Sequence, residues 1–132
     1  MAAAASSGAI SPEAMRAVLV DFVNSPYARN ACVAVNAAPM DYASLSGMFE
    51  SVQIGAVLLC DQYTDAGTAA GRGKTRVGIS DTTLVVKLKQ NFNQRATSIL
   101  DKLQKHLRKT VPRGQVTKLE YMQGTTIQTL MI

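Results

Sequence analysis

The stretch from Asn91 to Lys109 constrains this chain more than any other. Phe92, Ala96, Ile99, Leu100, Leu103 and Leu107 recur at three- and four-residue spacing, and most of the other positions are polar or basic. One stripe of a helix is therefore apolar, and such a stripe is stable only against a second apolar surface. The flanking residues supply that surface as strands. In Thr82 to Lys89, Leu84, Val86 and Leu88 alternate with outward Lys87 and Lys89, the pattern of a half-exposed strand. After Val111-Pro112-Arg113-Gly114 stops the helix, Gln115 to Met122 and Thr125 to Ile132 read as a hairpin around Gln123-Gly124.

The first half adds a helix and more strand. Ser11-Pro12-Glu13 combines an N-cap serine, proline in the first turn and an early acid. Met15, Val18, Leu19, Phe22 and Val23 continue as one apolar stripe, and Asn24-Ser25-Pro26 ends it. Ala31 to Ala37 is β-like, with Val33 and Val35 on one face, and residues 39–50 read as a turn or short irregular helix. Ser51 to Cys60 reads as one strand, with Val52, Ile54, Ala56, Leu58 and Cys60 on one side. A polar loop over Asp61 to Lys74 leads to a short strand at Thr75 to Ile79 and a Ser80-Asp81 turn.

These elements predict an α+β fold in a single domain over residues 11–132, preceded by a flexible N-terminal arm at residues 1–10. Its sheet is mostly antiparallel and carries two amphipathic helices, 11–24 and 91–109. The 132 residues are 47% hydrophobic and 17% charged, a globular composition. No apolar run approaches the roughly 18 residues of a membrane span. Met1 to Ser7 lacks the basic start of a secretory signal. Cys32 and Cys60 then read as buried free thiols in the reducing cytoplasm.

Charge is divided unevenly. Residues 1–71 carry two cations, Arg16 and Arg29, against six acids, whereas residues 72–132 carry twelve cations against three acids. Such polarity suits an anionic partner. On the second helix Arg95, Lys102 and Lys109 are seven residues apart and fall nearly on one line, with Lys105 and Arg108 extending that face. Lys87 and Lys89 from the strand, Arg113 from the turn, and Arg72, Lys74 and Arg76 from the loop are candidates to join it. Cations at this density neutralise phosphates without regard to sequence. Tyr121 and Phe92 are the only aromatics of this half, so backbone contact is favoured over base readout.

Motifs for chemistry are weak. Gly73-Lys74-Thr75 ends like a phosphate loop, but five residues separate Gly67 from Gly73 where the motif requires four, and a strand rather than a helix is predicted to follow. His106 is the only histidine and reads as a surface residue; no ligand cluster points to a metal, and no nucleophile elbow to catalysis. No cofactor is implied, and the chain reads as a non-enzyme.

The order of elements from about residue 40 resembles the core of plant-virus cell-to-cell movement proteins of the thirty-kilodalton, tobamovirus-like superfamily. The matching segments are Val52-Gln53-Ile54-Gly55-Ala56-Val57-Leu58-Leu59, Arg76-Val77-Gly78-Ile79-Ser80-Asp81, Val85 to Asn91, the helix to Lys109, and Lys118-Leu119-Glu120. The resemblance implies a β-rich core that binds single-stranded RNA, with Asp81 as the family's characteristic acid. Thr82 stands where the family usually carries a basic residue, and the family's extended, charged C-terminal region has no counterpart in the chain.

The expected function is thus a viral, non-enzymatic protein of the host cytoplasm that binds single-stranded RNA by its phosphates and is possible as a homo-oligomer. The alternative is a small capsid or core protein that self-associates through its C-terminal hairpin, whose outer strand carries Ile127, Leu130, Met131 and Ile132.

Overall fold

Two Ser-Pro dipeptides start the first two helices in the same way. In a computed structural model that describes residues 9–35, 45–61, 78–123 and 125–132, α1 spans Pro12–Val23 and α2 spans Pro26–Ala34. The Ser11 hydroxyl accepts from the Ala14 amide at 3.2 Å, and the Ser25 hydroxyl accepts from the Ala28 amide at 3.3 Å. Each serine caps a helix whose first residue is proline, where the missing N–H costs nothing. The strand expected at 31–37 is therefore a helix as far as Ala34. Its inward stripe is made of small residues, Ala28, Ala31 and Cys32, while Val33 is 71% exposed. The expected pair of helices becomes three.

The strand expected from Ser51 to Cys60 is two strands. β1 (Phe49–Ile54) turns at Gly55-Ala56 into β2 (Val57–Asp61), and Ile54 faces Val57 across the hairpin. Gly55 has φ +56°, a left-handed conformation that disfavours a Cβ. A Cβ there would also stand 3.1 Å from the Asp81 Cα. Gln53, itself buried, donates from Nε2 to the Gly55 carbonyl at 2.7 Å and braces the turn.

β3 (Thr83–Leu88) pairs with β1 in the antiparallel sense. It is followed by a 3-10 segment, Gln90–Arg95, and by α3 (Ala96–Thr110). β4 (Lys118–Gln123) then lies parallel to β3, and β5 (Thr126–Met131) returns antiparallel to β4. A parallel pair needs a long crossover, which α3 provides. The sheet order is β2-β1-β3-β4-β5, so the fold is α+β, one domain with a mostly antiparallel five-stranded sheet. Of the strand expected at Thr75 to Ile79, residues 75–77 lie outside the described residues, and Gly78 and Ile79 are not in a strand.

One hydrophobic core unites the layers. Met15, Leu19, Phe22 and Val23 of α1 and Ile99, Leu100, Leu103 and Leu107 of α3 meet Val52, Ile54, Leu84, Val86, Leu119 and Tyr121 of the sheet. Ile10, expected in the flexible arm, is buried in this core as well. The two cysteines are free and buried, as expected. Among the described residues no helix is long and apolar enough to cross a membrane.

Candidate nucleic-acid interface

α3 is built so that one side is fixed and the other is free. Its apolar stripe is buried along its whole length, Ala96, Ile99, Leu100, Leu103 and Leu107. Arg108 and Lys109 lie in its last turn, where cations complement the negative end of the helix dipole. Val111 caps the helix in an extended conformation, φ −106° and ψ 129°, as the residue before Pro112 should.

The cations on the other side differ in what holds them. Arg95, Lys102, Lys105, Arg108 and Lys109 are all exposed. Their spacing keeps Arg95, Lys102 and Lys109 along one line that drifts by about 20° per heptad, over a length of about 21 Å. The Lys102 ammonium lies 5.6 Å from the centre of the Tyr27 ring, a cation–π distance. Lys105 pairs with Asp101 one turn away at 3.2 Å, with both side chains at least half exposed, so that pair is weak and exchangeable. Arg108 leans to the sheet and donates from Nη2 to the Met131 carbonyl at 3.0 Å. The side chains of Arg95, Lys109 and Arg113 have no hydrogen-bond or ion-pair partner among the described residues.

Of the other expected contributors, Lys87 does not join this face. Lys87 lies opposite Ser51, on the sheet face turned away from the helices, and is paired with Glu50 at 3.2 Å. The sheet itself separates it from α3. Lys89 is the N-cap of the 3-10 segment, close enough to the Cys32 thiol to act on it electrostatically. Burial pushes the Cys32 thiol above its usual range, and the Lys89 ammonium pulls it partly back. Arg72, Lys74 and Arg76, and with them the Gly73-Lys74-Thr75 motif, lie outside the described residues.

Neither aromatic of the C-terminal half is available to a base. Phe92 is fully buried, and Tyr121 is 1% exposed, its hydroxyl 3.4 Å from Asn93 Oδ1. Burial raises the Tyr121 phenol above its ordinary value. The aromatic that does lie beside the basic row is Tyr27 of α2, half-buried, with its hydroxyl 2.5 Å from the Ser98 hydroxyl. Tyr27 and Ser98 are far apart in sequence and belong to different charge halves, so no local pattern signals the contact.

His106 is not a surface residue. Its ring is 16% exposed and packs at 5.5 Å from the Phe22 ring, while Nε2 donates to the Val18 carbonyl at 3.0 Å. It ties α3 to α1. Asp81 is exposed and sits in the turn before β3, where the Thr83 amide donates to the Ser80 carbonyl at 3.0 Å. It packs against Gly55 rather than closing a strand. Among the described residues no group of three or more His, Cys, Asp and Glu is placed to hold a metal ion.

Among the described residues the arrangement offers exposed positive charge on α3, one partly exposed aromatic beside it, and no convergent acid, base and nucleophile. No protein-family model, no curated protein and no solved structure matches this chain.

Proposed function

We propose that the protein binds single-stranded RNA through its phosphates along the outer face of α3, without catalysing a reaction. The observation that carries this reading is the row Lys102, Lys105 and Lys109, exposed on a helix whose only acid is Asp101, with exposed Arg95 at its N-cap. Arg113 extends the row past the helix end. Fixing the cations on a packed helix lowers the ordering cost of each contact. With Phe92 and Tyr121 buried, the strand would be held by its backbone, and among the described residues Tyr27 is the candidate for stacking a base. The resemblance to movement proteins is the ground for choosing RNA over DNA and for a viral protein acting in host cytoplasm.

Fluorescence anisotropy with labelled single-stranded RNA tests this. Four phosphate contacts predict a salt slope of about −2.8, or about a 50-fold loss of affinity between 50 and 200 mM salt. Reversing Lys102 and Lys109 to Glu should weaken binding to all sequences alike and flatten that slope. Binding that is absent, or indifferent to salt, sinks the reading.

A further inference from the structure

β5 ends the sheet, and its pairing decides which of its main-chain groups face β4. The Ile132 amide donates to the Thr117 carbonyl at 3.0 Å, and Leu130, Gln128 and Thr126 lie opposite Leu119, Tyr121 and Gln123. Bonded and non-bonded pairs alternate along an antiparallel ladder, so these even-numbered residues bond to β4. Ile127, Thr129 and Met131 turn their N–H and C=O groups outward. The Met131 carbonyl is already occupied: Gln104 donates from Nε2 at 2.8 Å and Arg108 from Nη2 at 3.0 Å, both from α3. Ile127 and Thr129 have no outward partner among the described residues. The free edge is therefore a short segment between the hairpin turn and the Met131 clamp, with Gln128 at its centre.

We propose that this edge docks a second copy of the chain, β5 against β5 in the antiparallel sense, about a two-fold axis at Gln128. Ile127 then lies opposite Thr129 of the partner subunit, and Thr129 opposite the partner's Ile127, each pair exchanging both main-chain bonds. All four free groups of each copy are used, and the clamp on Met131 stays in place. A register centred on Thr129 would instead put Ile127 against the partner's Met131, whose carbonyl is taken.

Two further observations name a second copy as the occupant. From Thr126 to Met131 the strand carries no charge, so nothing repels its own image, whereas lone edge strands are commonly guarded by Lys or Pro. Ile127 is 45% and Met131 57% exposed; both share the sheet face away from the helices. Facing Ile127 with a β-branched Thr is a favourable cross-strand pair. Leu130 and Ile132 of the same outer strand are partly buried against the core.

The register makes the test specific. In a non-bonded antiparallel pair the Cα atoms are about 4.5 Å apart, within reach of a disulfide. Gln128→Cys should therefore cross-link to itself under mild oxidation in the full chain, with Cys32 and Cys60 buried. Thr126→Cys should not, because it faces Leu130 of the partner subunit. Light scattering on the unmodified chain should give twice 14.1 kDa. Thr129→Pro removes only an outward N–H, a change an edge strand tolerates, and should give the single-chain mass with unchanged circular dichroism; Ile127→Lys serves if that variant fails to fold. A single-chain mass for the unmodified protein at every concentration overturns the proposal, as does cross-linking at 126 equal to that at 128, or a dimer that survives Ile127→Lys. None of these readouts involves RNA, so failure here leaves the reading of α3 untouched.

Discussion

The sheet ends in two strands, each the outer arm of a hairpin, and the rest of the chain treats them differently. β2 is buried along Leu58, Leu59 and Cys60, and the Leu59 carbonyl accepts from Arg16 of α1 at 3.1 Å. β5 is exposed from Thr126 to Thr129 and again at Met131, and α3 sends it two hydrogen bonds at its end, both to the Met131 carbonyl. β2 is the more apolar of the two, yet apolar residues stand on both. What separates the edges is cover: the N-terminal helical layer packs over one and sends it a guanidinium, while the other is held at its end and left exposed from Thr126 to Thr129. An edge is thus defined by its neighbours as much as by its own side chains.

The strongest contrast comes from placing the same charge on each edge. Leu59→Lys buries an ammonium at a site 6% exposed and should cost about 3 kcal/mol or more. Ile127→Lys, at a site 45% exposed, should change the stability of the single chain by no more than about 0.5 kcal/mol. Urea unfolding curves measure both, and equal losses would erase the distinction. Next in size are the two clamps. Arg16→Ala leaves the Leu59 carbonyl without its arginine and should cost about 1 kcal/mol, with faster amide exchange along β2. Gln104→Ala should cost less than about 0.5 kcal/mol, since Arg108 still holds the Met131 carbonyl.

The smallest effect is absent at neutral pH and concerns one buried acid in each helical layer. Cys32 of α2 and Tyr121 beneath α3 are both held above their ordinary values of 9.0 and 10.0 by burial. The folded chain therefore keeps these protons after the unfolded chain has released them. Stability from this source is complete below pH 9 and is lost as pH rises past the ordinary values and through the raised folded ones. Thermal melts from pH 8 to 11 should fall in that window, and Tyr121→Phe should remove part of the fall. A flat profile would mean that neither group is buried as described.

Strong periodicity was legible and weak periodicity was misleading. The stripe of α3 is legible because Ile99, Leu103 and Leu107 are large and leave no other register, although the expected helix 91–109 is α-helical only from Ala96 and Phe92 lies in the 3-10 segment before it. In β3, Leu84, Val86 and Leu88 are buried as expected, but Thr83 and Val85 of the opposite face are buried too, so only Lys87 keeps the expected half exposure. α2 was hidden because its inward face is only Ala28, Ala31 and Cys32, while Val33 and Val35 imitate a strand's alternation. Ser25-Pro26 repeated the signal that Ser11-Pro12 had given, and it also ended α1. The break at Gly55 was hidden inside an apolar run that suits one strand or two. For the basic face, helical spacing revealed Arg95, Lys102, Lys105 and Lys109, and strand alternation already set Lys87 on the face opposite Leu84 and Val86, away from the helix that packs on them. Tyr27 depends on tertiary packing and left no mark in local sequence.

The two buried thiols turn the covered edge into a clock. A thiol that is sealed in the core, as Cys60 is on β2 with its Sγ 3.9 Å from the Phe49 carbonyl, reacts with an alkylating reagent only during the intervals when its surroundings open. Cys32 keeps the same kind of time for α2. Labelling each alone, in Cys32→Ser and Cys60→Ser backgrounds, would count how often β2 lets go of its cover and briefly resembles β5.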